Sequence, residues 1–182
     1  MDPLKLLNQY YKNSPIALKI LLTHSNNVTR KALRIAERVP ELKPNIQFIE
    51  EAAMLHDIGI FLTYAPKIGC YGQQSYICHG YLGRELLDRH GLYQHALVCE
   101  RHTGLGLSLE DIKNKNLPIP KRNMIPISVE EKIICFADKF YSKKPNRLDQ
   151  EKTLKQVQDS LSKQNPNYLE KFNSWCRQFK EN

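Results

Sequence analysis

Apolar residues recur at the 3.6-residue spacing of an α-helix along most of this 182-residue chain, and this period limits the fold more than any other feature. The stretch from His24 to Val39 shows it clearly, since Val28, Ala32 and Ile35 lie on one face. No run alternates between apolar and polar residues for long enough to predict a sheet. The sequence therefore predicts an all-α, single-domain helical bundle.

Local signals predict where helices begin. Ser14 followed by Pro15 suits the start of a helix over residues 16–22, and a further helix is expected to begin at His24. The sequence Ser128-Val129-Glu130-Glu131 has the form of a capping box, which predicts another helix start.

Glycine and proline predict the breaks between helices. Gly59 is a natural terminator for the helix over residues 45–57, and Gly83 would allow a neighbouring helix to approach closely. Two segments lose the helical period and contain several Gly or Pro residues, so residues 61–75 and 104–127 are predicted loops. Both are expected to border the functional site, because each follows a segment with candidate site residues.

Composition narrows the class of protein. The length suits one domain, and no apolar run approaches the roughly 20 residues that a membrane span requires. Five scattered cysteines without CxxC spacing and the lack of a secretory leader predict a cytoplasmic protein with reduced thiols. The net charge of +8 favours an anionic partner, but the basic residues are dispersed, so polynucleotide binding is not expected.

Histidines and aspartates lie on the apolar stripes of several predicted helices, or where those stripes end. A single histidine in such a position is usually a hydrogen-bonded core residue. Several of them together, with two aspartates, would form a costly buried cluster unless cations occupied it, and nitrogen and oxygen donors suit transition metals. The candidates are His24, His56, Asp57, His79, His102 and Asp138.

These residues carry a resemblance to a known family. His24, the His56-Asp57-Ile58-Gly59 sequence and Asp138, in this order on helices, resemble the HDIG-type members of the HD-domain metal-dependent phosphohydrolase superfamily. The resemblance covers residues 16–141, the expected core of a domain that spans 1–182, with C-terminal helices over residues 146–182 covering it. Its implied fold is the all-α helical bundle of HD domains.

The resemblance also implies a cofactor and a ligand set. His79 and His102 match the six-ligand variant with two divalent or mixed-valent transition metals, of which iron is the usual choice and manganese, nickel or cobalt are alternatives. Asp57 would bridge both ions and be the central catalytic residue. One ion would be held by His24, His56, Asp57 and Asp138, and the other by Asp57, His79 and His102.

The expected function is hydrolysis of a phosphoester or phosphoanhydride in a nucleotide or another small phosphorylated molecule. Two adjacent cations lower the pKa of a bridging water, which supplies hydroxide, and they stabilise the phosphoryl oxygens. Lys67, in the loop after the motif, is a candidate phosphate contact, and Lys143-Lys144 is another. The C-terminal helices are expected to cover the core, with a homodimer or partner face as the alternative.

Two other functions stay open at this point. A mixed-valent di-iron HD-domain oxygenase would use the same six ligand positions, but some of these enzymes have a histidine directly after the motif, where this chain has Ile60. A non-catalytic nucleotide-binding regulator is less favoured, because all six ligand types are present. His90 is expected to be a cation at a helix end, and His95 a surface or supporting residue.

Overall fold

The structure, a computed structural model, describes residues 1–163 and 166–181. Helices dominate this part of the chain, as predicted, and one short hairpin, β1 Tyr64–Ala65 and β2 Cys70–Tyr71, is the sheet structure within it. In chain order the α-helices are α1 Pro3–Tyr11, α2 Pro15–Arg38, α3 Ile46–Leu55, α4 His79–Arg89, α5 Tyr93–Arg101, α6 Leu109–Asn114, α7 Val129–Asp138, α8 Leu154–Ser162 and α9 Pro166–Gln178. Single turns of 3-10 helix cover Pro40–Leu42, Ile58–Leu62, Pro66–Ile68, Tyr76–Cys78 and Pro145–Arg147.

The long helix α2 is continuous, which corrects the prediction of a boundary before His24. Ser14 is the N-cap residue and Pro15 the first helical residue, as predicted, although the Ser14 side chain makes no capping hydrogen bond. No Gly or Pro interrupts residues 16–38, and Leu21, His24 and Val28 are buried on one face across the expected break. The apolar stripe therefore favours one uninterrupted helix.

The helix α2 forms the centre of the bundle. It packs against α3 and α7, whereas α4 packs mainly against α5 and the Ile58–Leu62 turn. The C-terminal helices α8 and α9 pack against each other, and α9 places Phe172 in the core, stacked on Phe136 of α7 with ring centroids 4.8 Å apart. These contacts bring the ends of α3, α5 and α7 to the middle of α2.

Gly59 does not end a helix, so that prediction is wrong. The helix α3 already ends at Leu55, and Gly59 is buried within the Ile58–Leu62 turn. A Cβ atom on Gly59 would lie 2.3 Å from the carbonyl oxygen of His79 and 2.5 Å from the amide nitrogen of Gly83. Gly59 and Gly83 thus allow the turn after α3 to touch α4, which confirms the predicted close approach at Gly83.

The two predicted loops contain short regular elements. The hairpin β1–β2 lies within residues 61–75, and α6 lies within residues 104–127, where Ser108 caps it with a complete capping box. At the start of α7 the box is half formed. Ser128 Oγ accepts the Glu131 N–H at 3.1 Å, but the Glu131 carboxylate accepts from Ile127 N–H instead. Within the described residues, no helix is long and apolar enough to cross a membrane.

Candidate metal centre

The six predicted ligands meet in one buried cluster. Their donor atoms form two groups, and within each group all atoms lie within 4.8 Å of one another. Asp57 belongs to both groups. His24 comes from the middle of α2, His56 and Asp57 follow α3, His79 begins α4, His102 follows α5, and Asp138 ends α7.

Three of the histidines are each oriented by the backbone carbonyl of the residue three positions before them. The Nδ1 atom of His56 lies 2.7 Å from the Ala53 carbonyl oxygen, and the Nδ1 atom of His102 lies 2.8 Å from that of Cys99. The Nδ1 atom of His79 likewise lies 2.6 Å from the Tyr76 carbonyl oxygen. The Tyr76 carbonyl also accepts the backbone N–H of His79. The Ala53 and Cys99 carbonyls lie in the last turns of α3 and α5, where carbonyls lack a partner within the helix, so each can accept the Nδ1–H. This hydrogen bond selects the tautomer whose Nε2 lone pair faces the cluster, as in many metal sites.

The geometry of these lone pairs fits a cation. The Nε2 atoms of His79 and His102 lie 3.1 Å apart, and each is 3.4 Å from Asp57 Oδ1. Two unprotonated nitrogens at this distance repel each other unless a positive charge lies close to both. Oδ1 of Asp57 and Nε2 of His56 are buried and make no hydrogen bond of regular geometry, which is costly in the absence of an ion.

The other group is also built from nitrogen and oxygen. Nε2 of His24 lies 3.0 Å from Asp138 Oδ1 and 3.2 Å from Asp57 Oδ2. Nε2 of His56 lies 3.0 Å from Asp57 Oδ2 and 3.6 Å from Asp138 Oδ1. Imidazole and carboxylate donors without thiolate suit iron, manganese, cobalt, nickel or zinc better than copper(I).

Two lysines balance the aspartates. Lys143 Nζ lies 2.5 Å from Asp57 Oδ2, and Lys139 Nζ lies 2.8 Å from Asp138 Oδ2. Burial lowers the pKa of Lys143, but the Asp57 carboxylate outweighs this and raises it above its ordinary value. The sequence indicated Lys143 as a candidate phosphate contact but not its ion pair with Asp57. It did not indicate Lys139, whose place directly after Asp138 was the available signal.

Burial and neighbouring charges act against each other on the pKa values of the cluster, and the outcome differs from residue to residue. Burial favours neutral carboxyls, yet Lys143 beside Asp57 and Lys139 beside Asp138 hold both carboxyl pKa values well below their usual range. Burial also lowers the pKa of His56, but Asp57 and Asp138 raise it to about 9. Burial prevails at His79, whose pKa falls to about 3. The cluster thus contains histidines of very different basicity.

A cavity of about 330 Å³ opens beside Asp138. Most of its wall comes from the end of α7, from residues 139–143 and from α8. Of the two segments predicted to border it, only Gly104 contributes, so most of that prediction is wrong. The reason is that the C-terminal helices fold across the end of α7, a long-range packing that loop composition does not encode. The lining includes Tyr76, Gly104, Asp138, Lys139, Tyr141, Ser142, Lys143, Lys152, Val157, Ser160 and Leu161.

Tyr76 is a site residue that the sequence did not reveal. Its ring centroid lies 4.8 Å from that of His79, and 36% of the residue is exposed, at the cavity. Burial of the hydroxyl raises its pKa to about 12. Tyr76 lies three residues before His79. Its backbone carbonyl contacts the His79 Nδ1 atom, and its side-chain ring covers the His79 ring.

Lys67 lies elsewhere. It is exposed on the Pro66–Ile68 turn, and the adjacent Gly69 packs on Ile16 and Ala17 in the first turn of α2. At 1.5 Å per residue, that turn is about 10 Å before His24 along the helix axis. In the described part of the chain Lys67 forms no ion pair with a carboxylate of the cluster, whereas Lys143 does.

His95 lies 3.3 Å from Glu51, and His90, at the end of α4, lies 2.7 Å from the Tyr10 hydroxyl.

Comparison with known proteins agrees with the geometry. The HD domain family matches residues 21–142, which include all six predicted ligands. The chain belongs to the HD-domain family. It is therefore a member of the HD-domain metal-dependent phosphohydrolase superfamily, in which divalent metal binding is the rule.

Curated relatives of this HD-domain protein are distant. It is 28% identical over 147 residues to a tRNA (cytidine(56)-2'-O)-methyltransferase of Picrophilus torridus, a match that covers 80% of this chain and 37% of that protein. A protein of the same name from Thermoplasma volcanium is 28% identical over 144 residues, covering 79% of this chain and 36% of the relative. This chain thus spans little more than a third of those two methyltransferases.

A third relative matches along most of its own length. An uncharacterized protein of Methanocaldococcus jannaschii is 29% identical over 154 residues, which cover 78% of this chain and 82% of the relative. No solved structure matches this HD-domain protein significantly.

Proposed function

We propose that this protein is a metal-dependent phosphohydrolase that cleaves a phosphoester or phosphoanhydride bond in a nucleotide or another small phosphorylated molecule. The observation that carries the proposal is the pair of donor groups that share the buried Asp57. In this proposal His24, His56, Asp57 and Asp138 hold one metal ion, and Asp57, His79 and His102 hold the other. Iron is the favoured metal, with manganese, nickel and cobalt as alternatives.

The chain's own residues prepare the site for a phosphate. When bound, two cations supply hydroxide near neutral pH and stabilise the charge on a phosphoryl group. Lys143 and Lys139 lie against the carboxylates that would bind the ions. When the ions take these carboxylates, the two ammonium groups are available to bind phosphate oxygens. Tyr76 covers His79 and shields that side of the cluster from water. Lys143 thereby replaces Lys67 as the proposed phosphate contact.

Methyl transfer is the less supported activity, despite the names of two relatives. The match leaves more than 60% of those proteins uncovered, since it spans 37% and 36% of their lengths. The described residues of this chain instead contain a buried set of metal-type donors. The names of those relatives therefore do not assign methyl transfer to this chain. Their names make ribonucleotides the first substrates to test.

The proposal is tested with purified protein, manganese or iron(II), and a panel of ribonucleotides under strict anaerobiosis. Release of phosphate or of a shortened nucleotide is expected, and Asp57→Asn should abolish it. Lys121→Ala is the control, since Lys121 is exposed and lies outside the cluster. Turnover that consumes dioxygen and stops without it would replace this proposal with the oxygenase alternative.

A further inference from the structure

We propose that the metal cavity continues into an outer cavity that binds a second phosphate group, so that the substrate is a phosphorylated molecule of dinucleotide size. This inference rests on the proposed function, because it names the substrate class of the same site. It goes beyond the metal cluster, since the residues that carry it lie on α8 and on the segment between α7 and α8.

The two cavities adjoin. The outer cavity has a volume of about 750 Å³, more than twice that of the inner one. Ser142, Lys152 and Ser160 line both, so the two cavities share part of their wall. The inner cavity alone is at the lower end of the roughly 300–1,000 Å³ found for small-molecule sites. A substrate held only there would leave the larger, adjoining space unused.

The outer cavity is cationic. Four of its lining side chains are basic and two are acidic. Of the two acids, Glu151 is already paired, because its carboxylate lies 2.7 Å from Lys31 Nζ and 3.3 Å from Arg34. The excess of positive charge therefore faces the cavity and favours an anion. The basic residues are Lys144, Arg147, Lys152 and Lys163, and the acidic residues are Glu151 and Asp159.

Lys152 lies at the junction and is held firmly. Its Nζ donates to the Lys139 carbonyl at 2.9 Å, and its backbone N–H donates to the Phe140 carbonyl at 2.8 Å. Lys139, Lys143 and Lys152 line the inner cavity, and Lys144 and Lys152 line the outer one, so lysine side chains surround the junction between the two cavities. A phosphate at this junction or just beyond it would pair with them.

The test compares one phosphate with two. Phosphorothioate analogues of AMP and of 5′-phosphorylated diadenylate, which resist hydrolysis, are titrated into manganese-loaded protein by calorimetry. The double variant Lys144→Ala with Arg147→Ala removes two outer cations and none of the metal ligands. It should weaken binding of the dinucleotide analogue about tenfold and change binding of the AMP analogue less than twofold. The matched control is Lys67→Ala with Lys121→Ala, which removes two exposed lysines that do not line either cavity.

The outcomes separate this inference from the proposed function. Equal loss of affinity for both analogues, no loss for either, or the same loss in the control variant would each overturn the second phosphate site. Because the measurement is of binding, it remains readable if the protein fails to hydrolyse any nucleotide, a result that would overturn only the proposed function. Loss of dinucleotide affinity alone supports the outer cavity as the second phosphate site.

Discussion

Replacement of Gly59 by alanine should damage one half of the metal centre. The added Cβ would lie 2.3 Å from the His79 carbonyl oxygen, about 1.1 Å inside the 3.4 Å at which ordinary contact begins. Both nearest partners, the His79 carbonyl and the Gly83 amide, are backbone atoms, so the overlap is relieved only by moving α4 away from the Ile58–Leu62 turn. Overpacking of this kind costs about 1–3 kcal/mol.

Thermal unfolding and elemental analysis measure the two consequences. For a chain of this length the cost corresponds to a decrease in Tm of roughly 2–12 °C. Movement of α4 carries His79 away from Asp57, whereas His24, His56 and Asp138 lie on other elements. Metal content should therefore fall from two ions per chain to one.

Gly91→Ala is the control for the Gly59 variant. Its Cβ would have no heavy atom within 4 Å, although its φ of +72° imposes a backbone strain of about 1 kcal/mol. It should lower Tm slightly and keep both ions. A Gly59→Ala protein with unchanged Tm and two ions would refute the reasoning.

Three further predictions concern single side chains. Asp57→Asn should lower metal content more than His79→Gln, because Asp57 belongs to both donor groups; equal losses by elemental analysis would contradict its bridging role. Lys143→Gln should raise the Michaelis constant for a ribonucleotide that the panel shows to be hydrolysed at least several-fold while two ions remain bound, since its ammonium group lies at the cavity. Lys31→Met should cost about 2 kcal/mol by urea denaturation, because Lys31 is only 4% exposed and pairs with Glu151 and Glu181 at 2.7 Å.

The loss in the Lys31 variant should depend on pH. Burial raises the pKa values of Glu151 and Glu181, but their ion pairs with Lys31 lower both below the ordinary 4.5. The unfolded chain therefore binds more protons than the folded one at acidic pH, so this contribution is present above about 4.5 and is lost as the pH falls through the lowered values. The stability difference between wild type and variant should shrink as the pH falls below about 4.5, and a constant difference would contradict the assignment.

The six residues of the cluster were predictable because their signal is local. A histidine or aspartate on an apolar helical stripe faces the core, and helices in one bundle bring their core faces together. His56 and His102 also follow the last turn of a helix, where a carbonyl without a helical partner orients each ring, and this too follows from position in a helix.

The walls of the site were not predictable in the same way. The ion pair of Lys143 with Asp57 depends on how the chain turns after α7, and the wall from α8 depends on packing between distant elements. Gly59 shows the same limit. Its sequence context is that of a helix terminator, whereas its contact with Gly83 is set by the approach of α4. Local sequence patterns therefore predicted the residues of the cluster better than the residues that line the cavity beside it.

The most direct test of a dinuclear hydrolytic site is an anaerobic metal titration. Metal-free protein is titrated with manganese or iron(II) under strict exclusion of oxygen, and hydrolysis of a ribonucleotide is measured at each ratio of metal to protein. For a dinuclear hydrolytic site, activity should rise until two ions per chain are bound and then stay constant without oxygen. Activity that reaches its maximum at one ion, or that requires dioxygen at any ratio, would contradict it.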